Sequence, residues 1–144
     1  MKWLNAWQAF ALCSALFAGL TAFLGKIGVS NINSNLATFI RVCVVMLLTA
    51  LILFSTNQWQ RPQAITTKTW FFLVLSGITT ALSWLCYYRA LQLGPVSKVA
   101  PVDKLSVGIA ILLGMLLLGE KFSWQVILGG GLMMAGAILI AVFS

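Results

Sequence analysis

Leu36–Phe54, with the sequence LATFIRVCVVMLLTALILF, contains a single charged residue, Arg41. A helix needs about 20 mostly apolar residues to cross the hydrocarbon layer of a membrane, which is about 30 Å thick. Because lipid offers no hydrogen-bonding partner, a segment that crosses it must pair its own backbone groups. This stretch therefore predicts a transmembrane helix with an arginine partway along it.

Similar apolar blocks recur along the chain and are separated by short polar breaks. The breaks contain residues that favour turns, such as Arg61-Pro62 and Gly94-Pro95. Hydrophobic residues make up 61% of the chain and charged residues 8%, which is not the composition of a soluble domain. We predict an all-α integral membrane protein, one domain over residues 1–144, with five spans: 4–25, 36–54, 70–90, 97–118 and 124–143.

The first span could be mistaken for a signal peptide, because Lys2 precedes its apolar run. The run is longer than a typical signal core, so we expect a retained helix. Five spans also place the N-terminus, the second loop and the fourth loop on one membrane face. Tryptophan prefers the headgroup level, and most tryptophans lie at that face: Trp3, Trp7, Trp59, Trp70 and Trp124.

The basic residues are scattered singly, so no patch exists that could follow a nucleic-acid backbone. The tryptophan face has Lys2, Arg61, Lys68 and Lys121; the other has Lys26, Arg41, Arg89, Lys98 and Lys104. Such a weak bias predicts insertion in both orientations. Since one five-helix bundle encloses little space for a solute, we expect a homodimer, preferably antiparallel, in the lipid bilayer.

Catalysis and cofactor binding are not expected. The chain has no histidine, and its three cysteines lie far apart in apolar sequence, which argues against a metal site. Its two carboxylates, Asp103 and Glu120, are separated by about 25 Å along one predicted helix. They cannot flank one reaction centre, so we expect no enzyme.

Four motifs carry a resemblance to a known family: Tyr87–Ser97 (YYRALQLGPVS), Ala100-Pro101, Leu116–Lys121 and Gly129–Gly136. Together they resemble one repeat of the EamA group in the drug/metabolite transporter superfamily. The resemblance implies one half of a ten-helix inverted-repeat transporter of the bacterial inner membrane, exporting metabolites or drugs by alternating access. The small multidrug resistance relatives have an acid in the first span; this chain has none there, so their mechanism is not transferred.

A polar and aromatic stripe marks one face of the third span. Rotation by 100° per residue groups Ser76, Thr80, Ser83, Trp84 and Tyr87. The stripe predicts the wall of a solute cavity. The alternative is helix packing through small residues, with Tyr87 anchored at the membrane interface.

The fourth span holds Asp103 and Lys104 close to Pro101. Charges within a span usually face the bundle interior and have a partner, and Arg41 lies at a depth similar to that of Asp103. An Arg41–Asp103 pair would leave Lys104 without a counter-charge, which favours an anionic or zwitterionic solute. Lys104 and Arg41 are both candidate solute-binding residues. Alternatively, Asp103 carries a coupling proton, because a low dielectric favours the neutral acid. Pro101 either kinks this span or lies in its first turn, and we favour the first turn.

Two further expectations concern contacts. Glycines of the fifth span, between Gly129 and Gly136, predict the subunit interface, with packing inside one chain as the alternative. Glu120 is expected to pair with Arg61 or Lys68. The preferred function is export of an amino-acid-like, anionic or zwitterionic solute. The alternatives are a non-transporting partner or scaffold subunit, and an exporter of cationic drugs.

Overall fold

The fold is helical throughout the part of the chain that the structure describes, residues 5–121 and 123–143 of this computed structural model. No strand occurs in those residues. Lys2, Trp3 and the predicted first residue of the first span lie outside them. The helices are α1 (Ala6–Gly28), α2 (Ser34–Ser55), α3 (Thr67–Leu93), α4 (Val96–Asp103), α5 (Ser106–Leu118) and α6 (Trp124–Phe143), with a 3₁₀ turn at Pro62–Ala64.

Within residues 5–121 and 123–143, five helical segments are long and apolar enough to cross a membrane: α1, α2, α3, α4 together with α5, and α6. The predicted all-α fold with five spans is confirmed. Helices α2 and α3 run beyond the predicted bounds at both ends, and α3 begins at Thr67 and ends at Leu93. Helix α1 ends three residues later than predicted, and α6 has the predicted bounds. Polar residues such as Lys68 and Gln92 lower the local hydropathy but still form helical backbone hydrogen bonds, so hydropathy underestimates helix length.

The fourth span is interrupted between Asp103 and Ser106. The backbone N–H of Lys104 donates to the carbonyl of Pro101 at 3.0 Å, three residues earlier, which is a 3₁₀ bond. Pro101 lies inside α4, beyond its first turn, so the preferred sequence interpretation is wrong. Because proline has no N–H to donate, the carbonyl four residues before it loses its helical partner.

The chain forms two compact units, which we call the central unit (residues 25–92) and the terminal unit (residues 1–24 and 93–144). In the central unit Val29 and Leu91 are fully buried. The Lys26 ammonium donates to the carbonyl of Leu91 at 2.6 Å, and the Gln92 amide donates to the carbonyl of Ile32 at 2.7 Å. These bonds tie the end of α1 and the turn after it to the end of α3.

The terminal unit is held by close helix packing, with α6 contacting both α4 and α5. A side chain at Gly108 would collide with the sulfur of Met134. A Cβ atom at Gly130 would lie 2.7 Å from the Cδ1 atom of Ile111. Glycine at these positions therefore lets the helices approach closely, as is usual between membrane helices.

Candidate functional site

Arg41 of α2 stacks on two aromatic rings of α3 in the central unit. Its Cζ atom lies 4.1 Å from the centroid of the Trp84 ring and 5.4 Å from that of Tyr88. Both distances are within the range of cation–π attraction, about 6 Å. We call Arg41, Trp84 and Tyr88 the cation–aromatic cluster. It lies about 10 Å along the axis of α2 from Ser34, well inside the predicted span.

The spacing of the two rings explains how α3 builds this cluster. Trp84 and Tyr88 are four residues apart, which places them on the same face of a helix. Tyr88 is only 6% exposed. A Cβ atom at Gly25 would lie 3.2 Å from the Tyr88 hydroxyl, so the glycine makes room for this ring. Tyr88 was not among the predicted site residues, although its i+4 spacing from Trp84 could have indicated it.

Arg41 has no acidic partner within its own unit. The two acidic residues of the chain are Asp103 and Glu120, and both lie in the terminal unit. Within the described part of the central unit, no hydrogen bond leaves the Arg41 guanidinium, and its contacts are with the two rings. The predicted Arg41–Asp103 pair would join residues of different units and stays a prediction.

The predicted stripe on α3 divides into two parts. Trp84 and Tyr87 are partly buried, and the Tyr87 ring meets the Tyr88 ring edge-on at 6.4 Å. The other three members, Ser76, Thr80 and Ser83, are exposed, and their hydroxyls make no hydrogen bond within the described central unit. Thr79 differs, because its hydroxyl donates to the carbonyl of Ser76 at 2.9 Å. We call the three exposed hydroxyls the hydroxyl face of α3.

Asp103 and Lys104 form an ion pair with each other at the interruption of the fourth span. The Lys104 Nζ atom lies 3.2 Å from the Asp103 Oδ2 atom. Lys104 therefore has a counter-charge in its neighbour, contrary to the expectation from sequence. The predicted roles of Lys104 in solute binding and of Asp103 in coupling stay predictions.

Glu120 folds back over the end of α5. The helix ends at Gly119, whose φ of 67° is a left-handed conformation that suits glycine. The Glu120 Oε2 atom lies so close to Gly114 that a Cβ atom there would be 2.9 Å away. Its predicted partners, Arg61 and Lys68, belong to the central unit, so that pairing stays a prediction.

The glycines of α6 serve two different surfaces. Gly130 is buried against α5, as described above. At Gly129, Gly131 and Gly136 an added Cβ atom would meet no atom within 4 Å. Gly131 lines an apolar groove of about 610 Å³ between α5 and α6. Packing within the chain therefore uses some of these glycines and leaves others open.

Comparison with known proteins identifies the family. The model of the EamA-like transporter family matches residues 5–142. A Sinorhizobium protein described as an uncharacterized transporter in the cobO 3' region is 50% identical over 139 residues, which cover 96% of this chain and 99% of that protein. No solved structure matches significantly. The family assignment agrees with the resemblance noted in the sequence and indicates a multi-pass membrane transporter. The chain belongs to the EamA-like transporter family.

Proposed function

We propose that this protein is half of a transporter, and that two copies inserted in opposite orientations form one pathway. The pair has ten helices related as inverted repeats, and alternating access moves a small metabolite out through the bacterial inner membrane. The hydroxyl face of α3 is the observation that carries this proposal. It is a polar surface in the middle of an apolar helix that the central unit leaves open.

Lipid is a poor partner for this surface. Within the most apolar 18-residue window of α3, none of the residues is buried. A hydroxyl without a hydrogen-bonding partner costs on the order of 1–3 kcal/mol in an apolar environment. An aqueous solute path, bounded by the second copy, provides partners for Ser76, Thr80 and Ser83, whereas hydrocarbon provides none.

Helix α6 supports the pairing. Gly129 and Gly136 are seven residues apart, so they lie on nearly the same side of the helix. Both are open, unlike Gly130, which already packs against α5. Open glycines on one side of a membrane helix allow a second helix to approach closely. We therefore place a subunit contact along this side of α6.

The solute is proposed to be amino-acid-like, or otherwise zwitterionic or anionic. At the interruption of the fourth span, the ammonium of Lys104 and the carboxylate of Asp103 lie side by side. An amino acid also has one group of each charge, so it can pair with both at once. When the amino acid replaces the Lys104–Asp103 contact during transport, both side chains gain a new partner, so no charge is left unpaired in the membrane.

Purified protein in proteoliposomes tests the proposal. Uptake of radiolabelled amino acids, organic acids and cationic dyes is compared with that of protein-free liposomes. A variant combining Ser76→Ala, Thr80→Val and Ser83→Ala should lower the transport rate by about tenfold, because hydroxyl partners of the solute are lost. Thr79→Val is the matched control and should transport normally, since that hydroxyl bonds to its own helix.

Two results would contradict this proposal. If the protein moved none of these solutes, the partner or scaffold alternative would replace it. If only cationic dyes crossed the membrane, the protein would be an exporter of cationic drugs.

A further inference from the structure

We infer that Arg41, held against the rings of Trp84 and Tyr88, is a binding site for an oxyanion, the carboxylate or phosphate group of a solute or of a lipid headgroup. This inference rests on the proposed transport function and gives its pathway an anion-recognising residue. It differs from the role of Lys104, which already has a carboxylate beside it.

The hydrogen-bonding groups of the guanidinium are available within the part of the chain that the structure describes, since no hydrogen bond there involves them. The Cζ atom lies over the Trp84 ring, 4.1 Å from its centroid. The five N–H donors of arginine point outward in the plane of the guanidinium group. A carboxylate or phosphate approaching in that plane can accept two parallel hydrogen bonds. Contact with the ring therefore holds the guanidinium without consuming its donors.

The position of Arg41 inside a predicted span favours a counter-charge. It lies inside α2, about 10 Å along the axis from Ser34. A charged side chain within a span costs a few kcal/mol on insertion scales and normally has a partner. The central unit contains no acidic residue, and the Asp103 carboxylate is engaged by Lys104. The two aromatic rings offset only part of the cost of placing the Arg41 charge in the span. An oxyanion from a solute or a lipid would supply the missing counter-charge.

Tryptophan fluorescence measures this binding directly. A reporter protein keeps Trp84 and replaces every other tryptophan with phenylalanine, and it is purified in micelles of a maltoside detergent, which has no phosphate or carboxylate. Sodium acetate and inorganic phosphate are titrated at constant ionic strength, and neutral acetamide serves as the matched probe. We expect a saturable change in Trp84 emission with acetate or phosphate, and none with acetamide.

Three variants of the reporter assign the signal to the guanidinium. Arg41→Gln should weaken the apparent affinity by about tenfold or more, because the charge and the paired donors are lost. Arg41→Lys should weaken it less, since the charge remains but the planar fork does not. Arg89→Gln is the control: Arg89 lies in α3 and bonds to Gln92, outside the cation–aromatic cluster. This variant should leave the affinity for acetate and phosphate unchanged. An unchanged affinity in Arg41→Gln would overturn the inference.

A lipid arm identifies the source of the oxyanion. The titration is repeated in maltoside micelles that contain increasing fractions of phosphatidylglycerol. If a headgroup occupies the site, Trp84 emission changes with the lipid fraction, and this change disappears in Arg41→Gln. If a solute occupies it, the acetate or phosphate response persists at every lipid composition. Either result supports the site, and no response in both arms would overturn it.

The binding and transport measurements separate this inference from the proposed function. A Trp84 response to acetate, phosphate and phosphatidylglycerol that is the same in Arg41→Gln as in the unmodified reporter would contradict this inference alone. Normal anion binding without any transport would contradict the proposed function alone.

Discussion

The central and terminal units have similar apolar helices but are held together in different ways. In the central unit, side chains of Lys26 and Gln92 bond to backbone carbonyls, and Arg41 stacks on aromatic rings. In the terminal unit, Gly108 and Gly130 allow direct contact between α5 and α6. The difference shows that hydrophobicity places helices in a membrane, whereas particular polar or small residues decide how they pack. Substitutions should therefore act by different mechanisms in the two units.

The largest effect is expected at the buried core of the central unit. Leu91→Ala should lower the free energy of unfolding by about 2–5 kcal/mol, because Leu91 is fully buried and the change leaves a cavity. Leu93→Ala, at a residue that is 74% exposed, is the matched control and should change it little. Unfolding of the purified protein in detergent by a denaturing surfactant measures both. Equal losses would mean that Leu91 is not a core residue.

The next largest effect should occur at the helix contact of the terminal unit. Gly108→Val should cost about 1–3 kcal/mol, because the new side chain takes the place of the Met134 sulfur and forces that side chain to repack between α5 and α6. Gly19→Val is the matched control, because it introduces a valine in α1, where an added Cβ atom meets nothing within 4 Å. Thermal unfolding followed by circular dichroism compares the two. A more stable Gly108→Val protein would contradict the close contact.

A smaller effect is expected at the polar contact that closes the central unit. Gln92→Ala should cost about 1 kcal/mol, because the carbonyl of Ile32 loses its side-chain donor. Gln125→Ala changes an exposed glutamine of α6 and serves as the control. Hydrogen exchange around residue 32 should accelerate in the first variant alone. Unaltered exchange would show that the turn after α1 does not depend on Gln92.

The smallest effect on the fold should come from the open side of α6. Gly129→Leu and Gly136→Leu should change the free energy of unfolding by less than about 0.5 kcal/mol, because the new side chains meet no atom of the same chain. The same changes should shift the protein from dimer to monomer, as measured by single-molecule photobleaching in nanodiscs. Gly19→Leu on α1 should leave the dimer intact. A persistent dimer in both α6 variants would place the interface elsewhere.

The sequence predicted the helical fold and its five spans because long apolar runs have few other possible structures in lipid. It did not predict the interruption of the fourth span, since a proline near a helix start is compatible with either a first turn or a bend. The sequence also identified Arg41 as a charged residue within a span, but it did not predict the contacts of Arg41 with Trp84 and Tyr88. Depth along a helix follows from sequence position, but the neighbour that a side chain meets depends on how the helices are rotated.

The orientation of the chain in the membrane tests the central claim that two opposed copies form one pathway. Cys13, Cys43 and Cys86 are replaced by alanine, and a single cysteine is introduced at Gln58 or at Ser30, exposed positions in the connections after α2 and α1. Whole cells are treated with a membrane-impermeant maleimide. We predict that each site is labelled to about half of its total, because both orientations are present. Complete labelling at one site and none at the other would contradict the antiparallel pair.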